Sequence, residues 1–370
     1  MSFRLPFPRF WAKRPEVLFV DDAVPDDSAG AGQPRAALLV ASLVNQRARV
    51  TVLPTLEITD VRTTVRSSVP VTVARPHQSE IATFTRYARA ADIVIISRPP
   101  NMARFVAVWE VERPKGVRLV YDAEAIFAHR ESVRRELFGL DGGFDIVNEL
   151  QQELNLARVA DIVLAVTANE AAVFRSAGCS DVRVLGYASQ YEAATTDFHS
   201  RQGFLFVGPI YGPETPNGDS IIFFTDHVWP IVRNALPGVQ LRLAGRDHDA
   251  IPAQADGIVK SGAIQDLSDV YSQARVFIAP TRFAAGIPLK VLDAAAAGVP
   301  VVMTSILAAQ LGWRAGVEAI VADTPEEIAR GCIDLYSNQQ KWLSIQQNAL
   351  ARVREDHTNQ KFNDVVRSLI

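Results

Sequence analysis

The sequence predicts an α/β protein of two domains, each a parallel sheet with helices on its faces, and three observations lead there. Short, continuous apolar runs of the kind that form buried strands recur along the chain. Stretches with helical marks fall between them, and the alternation occurs twice, once in each half. The 370 residues, 48% of them hydrophobic, suffice for two cores. Two such halves imply two sheets facing each other across a cleft.

Residues 1–15 mix Phe3, Phe7, Phe10 and Trp11 with Arg4, Arg9, Lys13 and Arg14 and contain no acid. Such a segment suits an anionic membrane surface or a partner, although Pro6, Pro8 and Pro15 oppose a stable amphipathic helix; we read it as a lead-in arm. Strand patterns follow at residues 17–20, 50–53, 93–96, 117–121 and 162–166. After the first come Asp22, the run Asp27-Ser28-Ala29-Gly30-Ala31-Gly32 and Arg35. Gly30 and Gly32 are candidates for a loop opening toward the cleft, though a plain turn has the same letters. After the fourth strand lies Asp122-Ala123-Glu124-Ala125-Ile126-Phe127-Ala128-His129-Arg130-Glu131. A polar stretch without period between Gly186 and Gln202 reads as the domain linker. The expected division is residues 1–188, residues 189–355, and a terminal helix in residues 356–370.

In the second half, residues 274–279 read as a buried strand ahead of Pro280, and residues 299–303 as another. Between them residues 287–297 have Pro288 in the first turn, an alanine-rich body, and Gly298 beyond the end, which are the marks of a helix. In an open parallel sheet the turn that leaves a strand meets the next helix's amino end, where unpaired N–H groups and the dipole attract anions. Ala284, Ala285 and Gly286 permit close approach to that backbone. Lys290 and Asp293, three apart, share a helical face. A lysine there reaches a diphosphate and a carboxylate one turn deeper holds ribose hydroxyls, while the spacing alone also fits a solvated Lys/Asp pair. Thr324-Pro325-Glu326-Glu327 is a capping box that starts a further helix.

Eight blocks in order carry a resemblance. They begin with Phe204-Leu205-Phe206-Val207-Gly208, Pro216-Asn217-Gly218-Asp219 and Val228-Trp229-Pro230, and continue through residues 241–245, 262–267, 282–293, 298–302 and 321–327. Over about residues 203–355 the chain resembles retaining glycosyltransferases of family four, which have the GT-B fold of two Rossmann-like domains. The resemblance implies donor binding by Gly208, Asn217, Ile264, Arg282, Gly286, Ile287, Lys290 and Asp293. Arg282 and Lys290 would meet the diphosphate, Asp293 the ribose, and Ile264 the base. It also implies a last helix that returns to the first domain. Two positions depart from the family pattern: Asp293 stands where glutamate is usual, and Ala285 where many members have a second glutamate. Ala125 and Phe127 replace an Asp and a His often found near the reacting centre, but a variant with Asp-Ala-Glu-Ala before Arg-Glu matches this chain. Glu124 and Arg130 are therefore the catalytic candidates, with a simple Glu124–Arg130 ion pair as the bland alternative.

A net charge of -3 from 38 basic and 41 acidic residues argues against a nucleic-acid partner. Cys179 and Cys332 lack metal-ligand spacing and fit a reducing, cytoplasmic setting. No apolar run is long enough to cross a bilayer. Asp247-His248-Asp249 mimics a metal-binding signature, yet a diphosphate with cationic partners and a helix terminus needs no divalent ion, so no metal or other cofactor is expected. The expected activity is transfer of a sugar from a UDP- or GDP-sugar to a saccharide or lipid-linked acceptor with retention, in polysaccharide or glycolipid assembly. The alternatives are an epimerase or a phosphorylase on the same frame, or a non-catalytic binding module.

Overall fold

The computed structural model describes residues 13–26, 32–56, 70–75, 77–140, 142–195, 197–246 and 256–370. Gly30, most of the 1–15 arm and Asp247-His248-Asp249 lie outside the described residues.

The first domain contains strands β1 (Glu16–Asp21), β2 (Arg49–Pro54), β3 (Thr72–Val73), β4 (Ile93–Ser97), β5 (Arg118–Asp122), β6 (Ile162–Ala165) and β7 (Val182–Val184). Its helices are α1 (Gln33–Asn45), α2 (Glu80–Ala88), α3 (Pro99–Glu112), α4 (Phe127–Phe138), α5 (Ile146–Arg158) and α6 (Ala168–Ser176). Strands β8 (Gln202–Val207), β9 (Leu241–Ala244), β10 (Ile258–Gly262), β11 (Ala274–Ala279), β12 (Val301–Met303) and β13 (Ile320–Val321) make the second sheet. Around it run α7 (Pro216–Phe223), α8 (Trp229–Ala235), α9 (Ser268–Gln273), α10 (Leu289–Ala296), α11 (Ser305–Leu311), α12 (Pro325–Ser337) and α13 (Gln339–Asp356), and the chain ends in α14 (Asn359–Arg367).

The strand orders are β3-β2-β1-β4-β5-β6-β7 and β10-β9-β8-β11-β12-β13, and the pairings within both sheets are parallel. Each order reverses direction once, between β1 and β4 and between β8 and β11. Helices that cover opposite faces diverge at such a point, leaving a crevice outside the strands' carboxyl ends. The central strands are buried on both faces, which is why Val17 to Val20, Ile93 to Ile96 and Val276 to Ala279 read as unbroken apolar runs.

Apolar clusters lie on both sides of each sheet. One of them joins Leu39 and Leu43 of α1 to Phe362, Val366 and Leu369 at the chain's end. The last helix thus packs on the first domain, and Arg183 in β7 donates to the Ser368 carbonyl at 2.8 Å.

The expected capping box at Thr324 and Glu327 is present at the start of α12. Helix α10 begins at Leu289, two residues later than the pattern suggested. Pro288 has φ -78 and ψ 81, which closes a tight turn in which the Leu289 amide donates to the Ile287 carbonyl at 2.9 Å. Helical backbone starts only after that turn.

Candidate active site

A cleft of about 1240 Å³ opens between the two domains. From the second domain it is lined by the loops after β8 and β11 and by the first turns of α10, and from the first by Gly32, one face of α1 and Arg130. It lies at the switch point of the second sheet, where the strand order predicts a ligand.

Lys290, in the first turn of α10, points into this cleft. Its Nζ donates to Asn217 Oδ1 at 2.7 Å and lies 4.6 Å from the centre of the Phe206 ring. Among the described residues no carboxylate pairs with it, and burial pushes its ammonium down to about 7. Asn217 is fixed in turn, because its Nδ2 donates to the Pro209 carbonyl at 2.9 Å. Gly208 makes the arrangement possible: at φ 152, a Cβ there would stand 2.6 Å from Asn217 Nδ2. Gly208 and Asn217 on one segment and Lys290, 73 residues beyond Asn217, therefore form one constellation on the cleft wall.

Asp293 lies one turn deeper and also lines the cleft. Burial pushes its carboxyl up to about 6, opposed by hydrogen bonds from Ser189 and Tyr187. Ile264 and Ile287 line the same cavity, as do Ala284 and Ala285.

Arg282 is placed differently from the expectation. Its guanidinium is held by both carboxylate oxygens of Asp219 on α7, lies 4.6 Å from the Phe223 ring, and is not part of the cleft lining. Asp219 is buried, so this pair braces the loop after β11 against α7. Gly286 turns toward the other domain: at φ 82, a Cβ there would stand 2.6 Å from the Glu124 carbonyl oxygen. Gly286→Ala should lower the melting temperature through strain of about 1–3 kcal/mol, and weaken any ligand held between the domains. Unchanged melting and binding in that variant would show that the contact gives way freely.

Glu124 pairs neither with Arg130 nor with the cleft. Its side chain is buried beneath Gly32, with Oε2 3.1 Å from Arg98 and Oε1 3.9 Å from Arg35. Burial drives its pKa upward against the pull of Arg98. Glu124 and Arg98 both have left-handed backbone, at φ 54 and φ 76. Arg98 also reaches Asp21 at 2.8 Å and Asp22 at 3.5 Å, so the switch point of the first sheet holds a compact ionic cluster. Arg130, by contrast, lines the cleft, stacks 4.3 Å from the Phe127 ring, and has no ion-pair partner within 4.0 Å among the described residues.

Sequence reasoning did not single out Tyr187, Ser189, Tyr191 or Arg246, which the structure places at the cleft or on its acids. The first three sit in a linker without periodicity, so nothing local marks them. Among the described residues no group of three or more His, Cys, Asp or Glu is arranged to hold a metal ion, and no helix is long and apolar enough to cross a membrane.

Residues 201–338 match the family model described as glycosyl transferases group 1. The fold is GT-B. It is shared with the crystal structure of Anabaena HepE in complex with UDP and glucose, at a TM-score of 0.69 and 16% identity, covering 96% of this chain and 99% of that one. Sucrose-phosphate synthase from Thermosynechococcus elongatus aligns at a TM-score of 0.70 and 13% identity, covering 96% and 98%. By sequence, an uncharacterized 44.6 kDa protein from the cps region of Klebsiella pneumoniae is 27% identical over 168 residues. That match spans 42% of this chain and 43% of the relative's length. The wall that the second domain contributes to the cleft lies within the matched segment.

Proposed function

We propose that the protein is a retaining glycosyltransferase that moves a sugar from a nucleoside-diphosphate donor to an acceptor hydroxyl. The observation that carries this reading is Lys290, a cleft-lining cation with no carboxylate partner among the described residues, three residues from a carboxylate that faces the same cavity. The match to glycosyl transferases group 1 and the fold shared with a UDP-bound protein support it.

In this reading the diphosphate lies against Gly208 and the turn before α10, between Lys290 and Arg130. Asp293 holds the ribose and Ile264 borders the base. As the anomeric carbon gains oxocarbenium character, charge collects on the departing diphosphate, where Lys290 and Arg130 stabilise it. The acceptor hydroxyl then enters on the face that the leaving group vacates. Two cations facing the diphosphate make a divalent ion unnecessary. Arg282 and Glu124 act from behind the wall, bracing the donor loop and the Gly32 turn. The reading places the protein in bacterial polysaccharide or glycolipid assembly.

A non-catalytic nucleotide-sugar module is the second reading, favoured by Ala285 and by the withdrawal of Glu124 from the cleft. Thermal shifts with UDP, GDP, ADP and their sugars identify the donor, since a ligand bound only by the folded state raises the melting temperature. Release of the nucleoside diphosphate that depends on acceptor, and that persists in EDTA, is the expected result. Tight binding without turnover against any acceptor would leave the module reading standing; release without acceptor would favour an epimerase.

A further inference from the structure

We propose that Tyr187 and Ser189, on the interdomain linker, are positioning residues that orient Asp293 and set selectivity for a ribose over a 2′-deoxyribose. This rests on the donor reading given above. Both hydroxyls donate to the same oxygen, Asp293 Oδ1, Ser189 Oγ at 2.6 Å and Tyr187 Oη at 3.1 Å. That leaves Oδ2 for a ligand in the cleft that Asp293 lines.

The direction of the serine proton is settled by its neighbour. Ser189 Oγ accepts the Tyr191 amide at 3.1 Å, so its own hydrogen is turned to the carboxylate. The Tyr187 main chain is pinned as well, with its carbonyl 3.1 Å from His357 Nδ1. Tyr187 packs in the same apolar cluster as Val291 and Leu292 of α10, which holds the linker against the helix. An aspartate reaches one methylene less far than a glutamate, and a carboxylate anchored at one oxygen presents the other in a fixed direction. Vicinal hydroxyls on a ribose would meet that oxygen in pairs; a 2′-deoxyribose offers one.

The ionisable groups facing Asp293 are the phenols of Tyr187, Tyr191 and Tyr271, with Lys290 on its own helix. The hydroxyl donors favour the ionised carboxylate against burial. Losing them shifts its titration upward, so binding that needs the carboxylate fails at a higher pH.

The test measures affinities of UDP, GDP and their 2′-deoxy counterparts for wild type, Ser189→Ala, Tyr187→Phe and Ser189→Thr. Wild type should prefer the ribonucleotide, and Ser189→Ala should reduce that preference about tenfold and move the acid limb of binding to higher pH. Ser189→Thr, which keeps the hydroxyl, should restore both and certify that the alanine variant's defect is not misfolding. Undiminished preference in Ser189→Ala and Tyr187→Phe, with nucleotide still bound, would overturn the inference alone. If wild type binds neither nucleotide, the donor reading falls with it.

Discussion

Lys290→Met will raise the melting temperature of the unliganded protein at pH 7 and, in the same variant, remove most of the shift that a nucleoside diphosphate produces. Burial lowers the Lys290 pKa from its usual 10.5 to about 7. Between those values the unfolded chain holds a proton that the folded chain has released, so this group's contribution to stability rises with pH through the window and is least favourable at or below pH 7. Methionine fills similar space without an ammonium to desolvate, which should stabilise the free protein by about 1–2 kcal/mol, or roughly 2–8 °C. A diphosphate reverses the balance by supplying the missing anion. Losing its charge-assisted hydrogen bond should weaken binding by about 10- to 100-fold.

Wild type should also take up a proton on binding above pH 7, so its affinity falls about tenfold per pH unit there. Calorimetry in two buffers of different ionisation heat reads that proton directly. Uptake that persists in Lys290→Met would place the titrating group elsewhere.

Asp122→Ala should be among the most destabilising single changes in the first domain, by about 3–5 kcal/mol, which corresponds to a melting temperature lower by roughly 10 °C. Arg35 on α1 and Asp122 at the end of β5 form two parallel bonds of 2.9 Å, with side chains 2% and 0% exposed. Arg35 also donates to the carbonyls of Leu185 and Gly186, at the start of the linker. Removing the carboxylate takes away both short bonds and leaves the buried guanidinium with carbonyls and a long 3.9 Å contact to Glu124, which is itself held 3.1 Å from Arg98. Removing both charges with Arg35→Met and Asp122→Leu should recover most of the loss, because neither partner is then stranded. Denaturant unfolding of the single and double variants measures the difference, and additive losses would show that the pair is not coupled. Arg35 looked in the sequence like part of a glycine-bearing cleft loop; in the structure it ties α1 to the end of β5 and to the start of the linker.

The site residues that the sequence made legible were those whose role is set by local geometry. Lys290 and Asp293 share a face because helical period puts them there, whereas Gly208 was named only through the family resemblance and the reason it is glycine, the approach of Asn217, is visible only in the structure. Arg282 and Glu124 were legible as charged residues at strand ends but not as to what they touch. A buried acid on α7 claims the first, and Arg98, held in left-handed backbone, claims the second. Tyr187 and Ser189 were not legible at all, since their partner lies more than a hundred residues away on another element. Edge strands β3 and β7, of two and three residues, were missed because so few positions carry no period.

By itself the sequence determined the two alternating halves, the parallel class of both sheets, and the strand-turn-helix unit that ends in α10, because apolar periodicity, proline and glycine act over a few neighbouring residues. Only the tertiary structure decided which cations face the cleft unpaired and which are bound behind it. Charge is written in the letters, but pairing is a matter of distance, and distances of 3 to 4 Å between remote segments exist only once the chain has folded.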